Sequence, residues 1–300
     1  MADSPPRIVV AGSANMDLVG LAPRLPAPGE TVLGDDFVMT PGGKGANQAV
    51  AAVRAGGRCT FLGAIGSDSF GVTINARLAA SGVDTTNVRT AYGPSGVAVI
   101  MVDRAGENSI VVSPGANRSF VTLTDAEAAV IAAGDVLLCQ QEIPAATVVE
   151  AARAARSGGT RMILNAAPAR EMPPELLSAV DLLVVNEGEA RAITGPGDLD
   201  MDGLLERVPR VVLTLGGAGA WYADRDGLSE RIPPFPVEVV DSTAAGDAFT
   251  GALAVAWGEG RDIVEAVRWA CAAGAACVRR VGAYPSLPKR ADIDALFNGG

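Results

Sequence analysis

Apolar and polar residues alternate along the chain in blocks that predict strands and helices in turn. Short aliphatic runs predict strands, and longer runs with helical spacing of apolar positions predict helices. The predicted strands cover residues 8–12, 59–65, 135–139, 161–165, 181–185 and 210–215. The predicted helices cover residues 43–56, 70–80, 145–156, 187–194, 246–257, 262–278 and 291–297.

The strands at 135–139, 181–185 and 210–215 are nearly continuous aliphatic runs. Such runs are typical of parallel strands that helices cover on both faces. Repeated strand–helix–strand units therefore predict an α/β fold, with a central, mostly parallel sheet between two layers of helices. Ligands of such sheets bind beyond the carboxyl ends of the strands.

Two stretches, at about 16–40 and 93–114, interrupt this alternation with β-type patterning and no helix. The second has two apolar runs around Arg-Ala-Gly-Glu-Asn and is typical of a hairpin. One interpretation is a small β lid that excludes water from a reacting phosphate; the other is a set of edge strands without a gating role. No repeat or low-complexity linker divides residues 1–300, which are predicted to form a single domain.

Composition excludes several chemistries. The formal net charge of −10 argues against binding to nucleic acid and to anionic membranes. The chain has no His, which excludes Ser-His-Asp triads, His-ligated zinc and imidazole bases. The four cysteines, Cys59, Cys139, Cys271 and Cys277, are scattered without a metal-ligand spacing. The longest apolar stretches are too short to span a bilayer, and we expect a soluble, cytoplasmic protein.

Residues 241–247 read DSTAAGD and precede the predicted helix at 246–257. Small residues allow a tight turn, so that free N–H groups at the helix start can bind an anion such as phosphate. The carboxylate of Asp247 would repel that anion unless it accepts a proton from an incoming hydroxyl, which is how kinases divide these roles. The alternative is an Asp that caps the helix and a Gly that packs against a neighbour.

Residues 40–47, TPGGKGAN, have the spacing of neither a P-loop nor a dinucleotide-binding motif. Glycines before a helix allow close approach of a ligand, and Asn47 offers both a donor and an acceptor to sugar hydroxyls. Asn15 and Asp17, just after the first strand, could hold hydroxyls in the same way. The alternatives are a helix start with a solvated Lys44, and a turn formed by the Asn and the Asp.

Three further segments carry candidate chemistry. Asn186 and Glu189 offer hard oxygen ligands that could hold Mg²⁺ through water, or they form an acid-rich helix start. Residues 214–219, TLGGAG, could cradle nucleotide phosphates or form a plain hairpin turn. Residues 280–288, RVGAYPSLP, predict an irregular loop whose exposed carbonyls could bind a cation.

In order and identity these motifs resemble the ribokinase branch of the PfkB family of carbohydrate and nucleoside kinases. The resemblance extends from GSANMD at 12–17 to the terminal helix. DSTAAGD at 241–247 and GGKGANQA at 42–49 are its most specific marks, and QEIP at 141–144, NEGE at 186–189 and RVGAYPS at 280–286 also match. Ser242 replaces the family's usual Thr, and Tyr284 stands where a polar residue is more usual.

The resemblance implies a role for each matched residue. Asp247 would be the general base, and an anion hole would be formed by Ala244, Ala245 and Gly246. The sugar would be held by Asn15, Asp17, Gly43, Lys44, Gly45, Asn47, Glu142 and Asp247. ATP would contact Asn186, Thr214, Gly216, Gly217, Gly219, Gly246 and Cys271, and Mg²⁺ would lie at Asn186 and Glu189. A potassium ion would be surrounded by Asp241, Thr243, Cys277, Arg280, Gly282 and Ser286.

The implied fold is ribokinase-like, and the implied reaction is phosphorylation of D-ribose at its 5-hydroxyl by ATP, with Mg²⁺ and K⁺ as cofactors. Two chains would pair through their β lids as a homodimer. The alternatives are a family kinase for another sugar, such as deoxyribose or fructose, or for a nucleoside. A non-catalytic sugar-binding regulator would have no use for Asp247. A dinucleotide-dependent oxidoreductase would need a GxGxxG run after strand 8–12, where the sequence has none.

Overall fold

The computed structural model describes residues 4–195, 197 and 199–299, and the strands of this part of the chain form two separate sheets. The strands are β1 (Arg7–Ala11), β2 (Asn15–Ala22), β3 (Asp36–Gly42), β4 (Arg58–Gly66), β5 (Val88–Ala91), β6 (Gly96–Asp103), β7 (Asn108–Ser113), β8 (Val136–Cys139), β9 (Arg161–Asn165), β10 (Leu182–Asn186), β11 (Arg210–Thr214), β12 (Ala220–Asp224) and β13 (Ser229–Ile232).

The large sheet has nine strands in the order β13-β12-β11-β10-β9-β8-β1-β4-β5. From β11 to β5 every neighbouring pair is parallel, whereas β12 and β13 add an antiparallel edge. Because parallel strands end at the same edge of a sheet, the segments that follow β8, β9, β10 and β11 all lie at that edge.

Helices cover both faces of the large sheet. They are α1 (Lys44–Arg54), α2 (Ser69–Ala80), α3 (Asp125–Ala132), α4 (Ala145–Gly158), α5 (Pro174–Leu177), α6 (Glu187–Thr194), α7 (Met201–Leu205), α8 (Ala245–Gly258), α9 (Ile263–Cys277), α10 (Ala283–Ser286) and α11 (Arg290–Gly299). Ile8 and Val10 of β1 join a core with α1, α8 and α9, whereas Val9 and Ala11 join a second core with α3 and α4. Both faces of β1 are buried, and the predicted three-layer α/β fold is confirmed.

Close packing of α1 against α8 brings two candidate motifs together. A Cβ atom at Gly251 would lie 2.6 Å from the Cβ of Ala51 and 2.8 Å from the carbonyl oxygen of Gln48. Only glycine permits this approach. One helical turn before these contacts lie Asp247 on α8 and Asn47 on α1, so the small residues along this seam set the distance between the two side chains.

The small sheet has four strands in the order β3-β2-β6-β7, with β2 and β6 parallel and the outer pairs antiparallel. The separate small sheet is thus confirmed, and the hairpin predicted within 93–114 is the β6–β7 pair. Many of its apolar side chains face solvent, including Phe37, Val38 and Met39 on β3 and Ile110 and Val111 on β7. Its function as a lid stays a prediction.

Several short elements lie outside the predicted ones. They are β5, β12, β13, α3, α5, α7, α10 and two 3₁₀ turns at Gly115–Ser119 and Gly216–Ala218. For TLGGAG at 214–219 the hairpin-turn interpretation is confirmed, because β12 returns antiparallel to β11. None of the described helices is both long and apolar enough to cross a lipid bilayer.

Candidate active site

A cleft of about 230 Å³ opens beyond the carboxyl ends of β9, β10 and β11, where α8 begins. Residues of four separate motifs line it: Lys44, Asn186, Glu189, Thr214, Gly246 and Asp247. A larger groove of about 440 Å³ lies at the opposite, amino-terminal ends of β1 and β4. The described residues that border this groove include none of the predicted site residues. The smaller cleft is therefore the candidate active site.

The amino terminus of α8 opens toward this cleft without a side-chain cap. Ala244 precedes the helix in a left-handed backbone conformation, with φ of 61°, and the N–H of Ala245 donates to the carbonyl of Ser242 at 3.2 Å. Among the described residues, no acceptor takes the N–H of Gly246 or of Asp247. First-turn N–H groups carry partial positive charge, so this end of the helix is suited to bind a phosphoryl group.

Asp247 lies in the first turn of α8, with only 7% of its surface exposed. Its carboxylate accepts hydrogen bonds from the side-chain amides of Asn47 and Gln48, both at 2.9 Å. Burial raises the pKa of Asp247, and the charge of Lys44 and the two amides oppose that shift. A carboxylate held in this way can accept a proton from a hydroxyl group that enters the cleft.

A second group of polar residues lies between Asp247 and the small sheet. Burial, together with the smaller effect of the charges of Glu142 and Asp247, raises the pKa of Asp17 on β2 to about 7. Glu142 accepts hydrogen bonds from the Ser13 hydroxyl at 2.5 Å and from the backbone N–H of Lys44 at 3.1 Å. Sheltered carboxylates and amides of this kind suit a ligand with many hydroxyl groups.

Two further contacts join the predicted sugar residues to their surroundings. The N–H of Gly45 donates to the Ser13 hydroxyl at 3.3 Å, and Asn117 donates to the side-chain carbonyl of Asn15 at 2.7 Å. Gly43 lies immediately before α1. The loops after β1 and β8 and the start of α1 are thus connected by hydrogen bonds.

Asn186 and Glu189 form a capping box at the start of α6. Each accepts a hydrogen bond from the backbone N–H of the other, both at 2.8 Å. The predicted helix start is therefore confirmed. Both residues also border the cleft, where the capping box leaves the second carboxylate oxygen of Glu189 and the side-chain NH₂ group of Asn186 unused.

The other predicted nucleotide residues lie farther along the same edge. Thr214 borders the cleft and donates its hydroxyl to the carbonyl of Val185 at 3.3 Å. Gly216 and Gly217 are exposed in the turn after β11, and Gly219 is buried at its end. Cys271 is half-buried on α9, where burial raises the pKa of its thiol to about 12. These three glycines and Cys271 are not among the residues that line the cleft, and their contacts with a nucleotide stay a prediction.

The predicted cation residues converge behind the start of α8. Asp241 accepts hydrogen bonds from the N–H and the hydroxyl of Thr243, at 2.8 and 2.6 Å, and from the N–H of Gly282 at 2.7 Å. Burial raises the pKa of Asp241, but these three hydrogen bonds outweigh burial and hold the pKa below its ordinary value. The carboxylate therefore stays charged and ties the segment before α8 to the loop before α10.

Cys277 and Ser286 extend this cluster, whereas Arg280 does not. The Cys277 thiol lies 3.6 Å from the carbonyl of Thr243 and 3.1 Å from the hydroxyl of Ser286. The side chain of Arg280 is exposed and lies 3.7 Å from Asp292. Arg280 is left with only its backbone to contribute to a cation site.

Six buried or half-buried polar residues of the site lie outside the predicted set: Ser13, Gln48, Asn117, Gln140, Asn165 and Thr250. Ser13 and Gln48 belong to the GSANMD and GGKGANQA segments, so the sequence did carry a signal for them. Thr250 donates to the carbonyl of Gly246 at 2.7 Å and accepts from Asn165 at 3.3 Å. The others take part in the site through contacts between segments that are distant in the sequence, such as Asn165 with Thr250 and Gln140 with Gln48.

Comparison with known proteins gives a consistent result. The chain matches the pfkB family carbohydrate kinases over residues 5–290. It is 40% identical over 294 residues to the ribokinase of Haemophilus influenzae, covering 94% of this chain and 95% of that protein. It is 41% identical over 295 residues to the ribokinase of Bacillus subtilis, covering 97% and 99%. The structure of Arabidopsis thaliana ribokinase with ribose and ATP matches with a TM-score of 0.91 and 33% identity, over 98% of this chain and 99% of that one.

Proposed function

The chain belongs to the pfkB family of carbohydrate kinases, and from this premise we propose that it transfers the γ-phosphoryl group of ATP to the 5-hydroxyl of D-ribose. The products are ribose 5-phosphate and ADP. The observation that carries the proposal is the position of Asp247, a buried carboxylate in the first turn of a helix whose unbonded N–H groups face the same cleft. The ribokinases to which the chain is similar support ribose as the acceptor.

Asp247 acts as the general base. Phosphoryl transfer has a loose transition state, and it needs alignment and charge stabilisation more than covalent help. The carboxylate orients the 5-hydroxyl by accepting its hydrogen bond, and it takes the proton as the new O–P bond forms. Lys44, Asn47 and Gln48 oppose the rise in the pKa of Asp247 that burial causes, and so favour the ionised form that this role requires.

The start of α8 forms the anion hole. The N–H groups of Gly246 and Asp247 stabilise the charge that develops on the transferred group, and the left-handed turn at Ala244 directs the chain so that both groups face the cleft. The ammonium group of Lys44 lies at the same cleft and supplies a full positive charge. The anion hole thus acts on the phosphorus end of the O–P bond that forms, and the base acts on its oxygen end.

The sugar lies against Asp17, Glu142, Asn15 and Asn47, with Gly43, Lys44 and Gly45 beneath it. The side-chain oxygen of Asn47 supports this placement, because it is buried and has no hydrogen-bond partner among the described residues. A buried acceptor without a donor is costly. A sugar hydroxyl would supply the donor, and the carboxylates would accept from the remaining hydroxyls.

ATP lies along the ends of β10 and β11, with its phosphates between α6 and α8. Asn186 and Glu189 fit a magnesium ion that the phosphates carry and the protein holds through water. The side-chain oxygen of Asn186 and one of the two carboxylate oxygens of Glu189 already serve the capping box, and the described residues include no cluster of three or more potential metal-ligating side chains. Mg²⁺ usually keeps water and phosphate ligands and few protein ligands. The ion would neutralise charge on the phosphates; the residues would orient it through water.

The loops behind α8 fit a monovalent cation. Asp241 supplies a charged carboxylate, to which the N–H groups of Thr243 and Gly282 donate hydrogen bonds. The oxygen ligands would be backbone carbonyls and hydroxyls of Thr243, Cys277, Gly282 and Ser286. Oxygen-rich, weakly charged sites of this kind suit K⁺. The ion would hold the segment that leads into the anion hole. Activation by K⁺ is part of the proposal.

We also propose a homodimer that forms through the small sheet. Phe37 and Met39 on β3 and Ile110 and Val111 on β7 are each more than half exposed. Exposed apolar patches of this kind usually mark an interaction surface. A cytoplasmic location completes the proposal, since ATP is available there and the free, buried Cys59 and Cys139 suit a reducing compartment.

The test of the function is an ADP-release assay with ATP and Mg²⁺ on ribose, deoxyribose, fructose and adenosine, each with and without K⁺. We expect turnover selective for ribose and higher with K⁺. Turnover on another acceptor alone would keep the kinase activity and change the sugar assignment. Ribose binding without turnover on any acceptor would contradict the kinase activity and favour a sugar-binding regulator.

A further inference from the structure

A chain of amide hydrogen bonds reaches Asp247 from the interior of the protein. Gln48 Nε2 donates to Asp247 Oδ1 at 2.9 Å, and Gln140 Nε2 donates to Gln48 Oε1 at 2.7 Å. Both glutamines are completely buried. The chain joins the end of β8, the first turns of α1 and the first turn of α8.

The charge on Asp247 fixes the direction of this chain. A carboxylate only accepts hydrogen bonds, so Gln48 must turn its NH₂ group toward Asp247. Its carbonyl oxygen then points away from Asp247 and needs a donor, which Gln140 supplies. Each amide thus presents the positive end of its dipole to the carboxylate, and in a buried chain the two dipoles reinforce one another.

The fold leaves room for Gln140 beside β1. Ala11 of β1 lies opposite Cys139 of β8, so Gly12 and Gln140 are neighbours just beyond the strand ends. A Cβ atom at Gly12 would lie only 2.1 Å from Gln140 Oε1. That oxygen has no hydrogen-bond partner among the described residues. Gln140 therefore takes part in the chain only as a donor.

We propose that Gln48, oriented by Gln140, is a positioning residue that keeps Asp247 ionised and turns its Oδ2 atom toward the acceptor hydroxyl. Gln48 holds Oδ1 from the interior, whereas Oδ2 is held by Asn47, which borders the proposed sugar position. Burial alone would favour the protonated carboxyl group, which cannot act as a base. The inference rests on the proposed function, because that function makes Asp247 the base.

Other ionisable groups also face Asp247, and the test must separate them from the two glutamines. They are Lys44 on α1, Asp17 on β2, Glu142 after β8, Cys277 on α9 and Tyr284 on α10. None of these groups changes when a glutamine is replaced by methionine, which has a similar length and no amide. Any change in the ionisation of Asp247 then reports on the amide chain itself.

The experiment compares Gln48→Met and Gln140→Met with Gln141→Met. Gln141 is the matched control, because it is a buried glutamine whose Nε2 atom has no hydrogen-bond partner among the described residues. In Gln48→Met we expect the acid limb of the pH profile of kcat/KM for ribose to move upward by about 1 pH unit. In Gln140→Met we expect a smaller shift in the same direction, with the KM for ATP unchanged, and in Gln141→Met no shift.

A second measurement reads Asp247 without turnover. In protein labelled with ¹³C at the aspartate carboxyl carbons, the resonance of Asp247 is the one that Asp247→Asn removes, and its titration midpoint should move upward with Gln48→Met and stay in place with Gln141→Met. Unmoved midpoints in Gln48→Met would overturn the inference even if kcat falls, because a purely structural role would lower kcat at every pH alike. If Gln48→Met does not fold, Gln140→Met decides by the same criterion. If the parent phosphorylates no acceptor, the proposed function fails while the resonance still decides this inference.

Discussion

Two helices begin at the same cleft, and they begin in opposite ways. The start of α6 is closed by its own side chains, because Asn186 and Glu189 each accept a backbone N–H of the other. The start of α8 is open, because Ala244 has no side-chain oxygen and holds a left-handed conformation that few residues other than glycine adopt.

The difference separates a structural use of a helix start from a chemical one. A capped start is complete without a ligand, and its acidic residue stabilises the fold. An uncapped start leaves N–H groups that only water or an anion can satisfy. The two first-turn acids differ accordingly: Glu189 accepts from the backbone of its own helix start, whereas Asp247 is held by α1 and directed at the cleft.

The largest expected effect compares these two acids directly. Asp247→Asn keeps the shape of the side chain but cannot accept a proton, so we expect kcat to fall by roughly 10²–10⁴-fold with little change in the KM for ribose. Glu189→Gln keeps an oxygen for the capping box, and we expect kcat to fall less than about tenfold. Steady-state kinetics of both variants provide the measurement. Equal losses would mean that the two helix starts do not differ in function.

The carboxylate of Asp17 lies near those of Glu142 and Asp247, and a substitution of Asp17 tests the consequence of this crowding. Its folded-state pKa of about 7 lies above the ordinary 3.8, so the folded protein retains a proton that the unfolded chain has lost. Stability therefore falls as pH rises through this interval. Asp17→Asn lacks this titration, and at about pH 8 it should be more stable than the parent by on the order of 1–3 kcal/mol.

The same variant should bind ribose poorly. It loses hydrogen bonds from hydroxyls to a charged group, and we expect the KM for ribose to rise roughly 10–100-fold. Urea denaturation at acid and alkaline pH gives the stability, and initial rates give the KM. A stability difference that does not grow with pH would contradict the raised pKa, and an unchanged KM would contradict the sugar assignment.

Asp241 holds the segment that leads into the open start of α8, because it accepts hydrogen bonds from Thr243 and Gly282. Removal of its carboxylate in Asp241→Ala frees the N–H of Gly282 and the hydroxyl of Thr243. We expect kcat/KM in K⁺ to fall by about tenfold, to the value that the parent has without K⁺. Asp292→Ala is the control, because it removes the partner of the exposed Arg280 side chain and should leave the K⁺ response intact. A K⁺ response like that of the parent in Asp241→Ala would contradict the cation assignment.

The sequence predicts the centre of the large sheet better than its edges. β8, β9 and β10 are buried on both faces, so most of their residues are apolar. The edge strand β13 has the sequence SERI and is mostly exposed; it is a strand because β12 pairs with it, and such pairing leaves little trace in local composition. β5, the strand at the other edge of the sheet, is likewise a strand because β4 pairs with it.

The candidate site divides in the same way. The glycine-rich turn before Asp247 and the glycines before α1 are local features, which a single segment can reveal. Gln140, Asn117 and Asn165 act through hydrogen bonds to segments far away in the sequence. Their roles depend on the packing of α1, α8 and the strand ends, and single polar residues in these positions predict nothing by themselves.

A smaller effect is expected at α6, whose start is capped by its own side chains. Asn186→Ala removes the cap oxygen that accepts the N–H of Glu189, and we expect a loss of about 1 kcal/mol in the free energy of unfolding. Asp200→Ala, at the start of α7, is a matched control outside the cleft, since Asp200 likewise accepts an N–H from its own helix, at 2.8 Å. We expect similar losses of stability in urea denaturation, and a decrease in kcat only for Asn186→Ala. Unchanged stability in Asn186→Ala would mean that the capping box contributes little to the fold.

The smallest effect tests the conformation that keeps α8 open. Ala244 has φ of 61°, where alanine is disfavoured by roughly 1–2 kcal/mol and glycine is not. Because glycine also loses more entropy on folding, we expect Ala244→Gly to raise the free energy of unfolding by about 0.5 kcal/mol. Ala245→Gly, one residue later and inside the helix, should lower it by roughly 0.5–1 kcal/mol. Opposite signs for two neighbouring, chemically identical substitutions can come only from the backbone. Equal losses in both variants would mean that Ala244 does not hold the left-handed turn on which the open helix start depends.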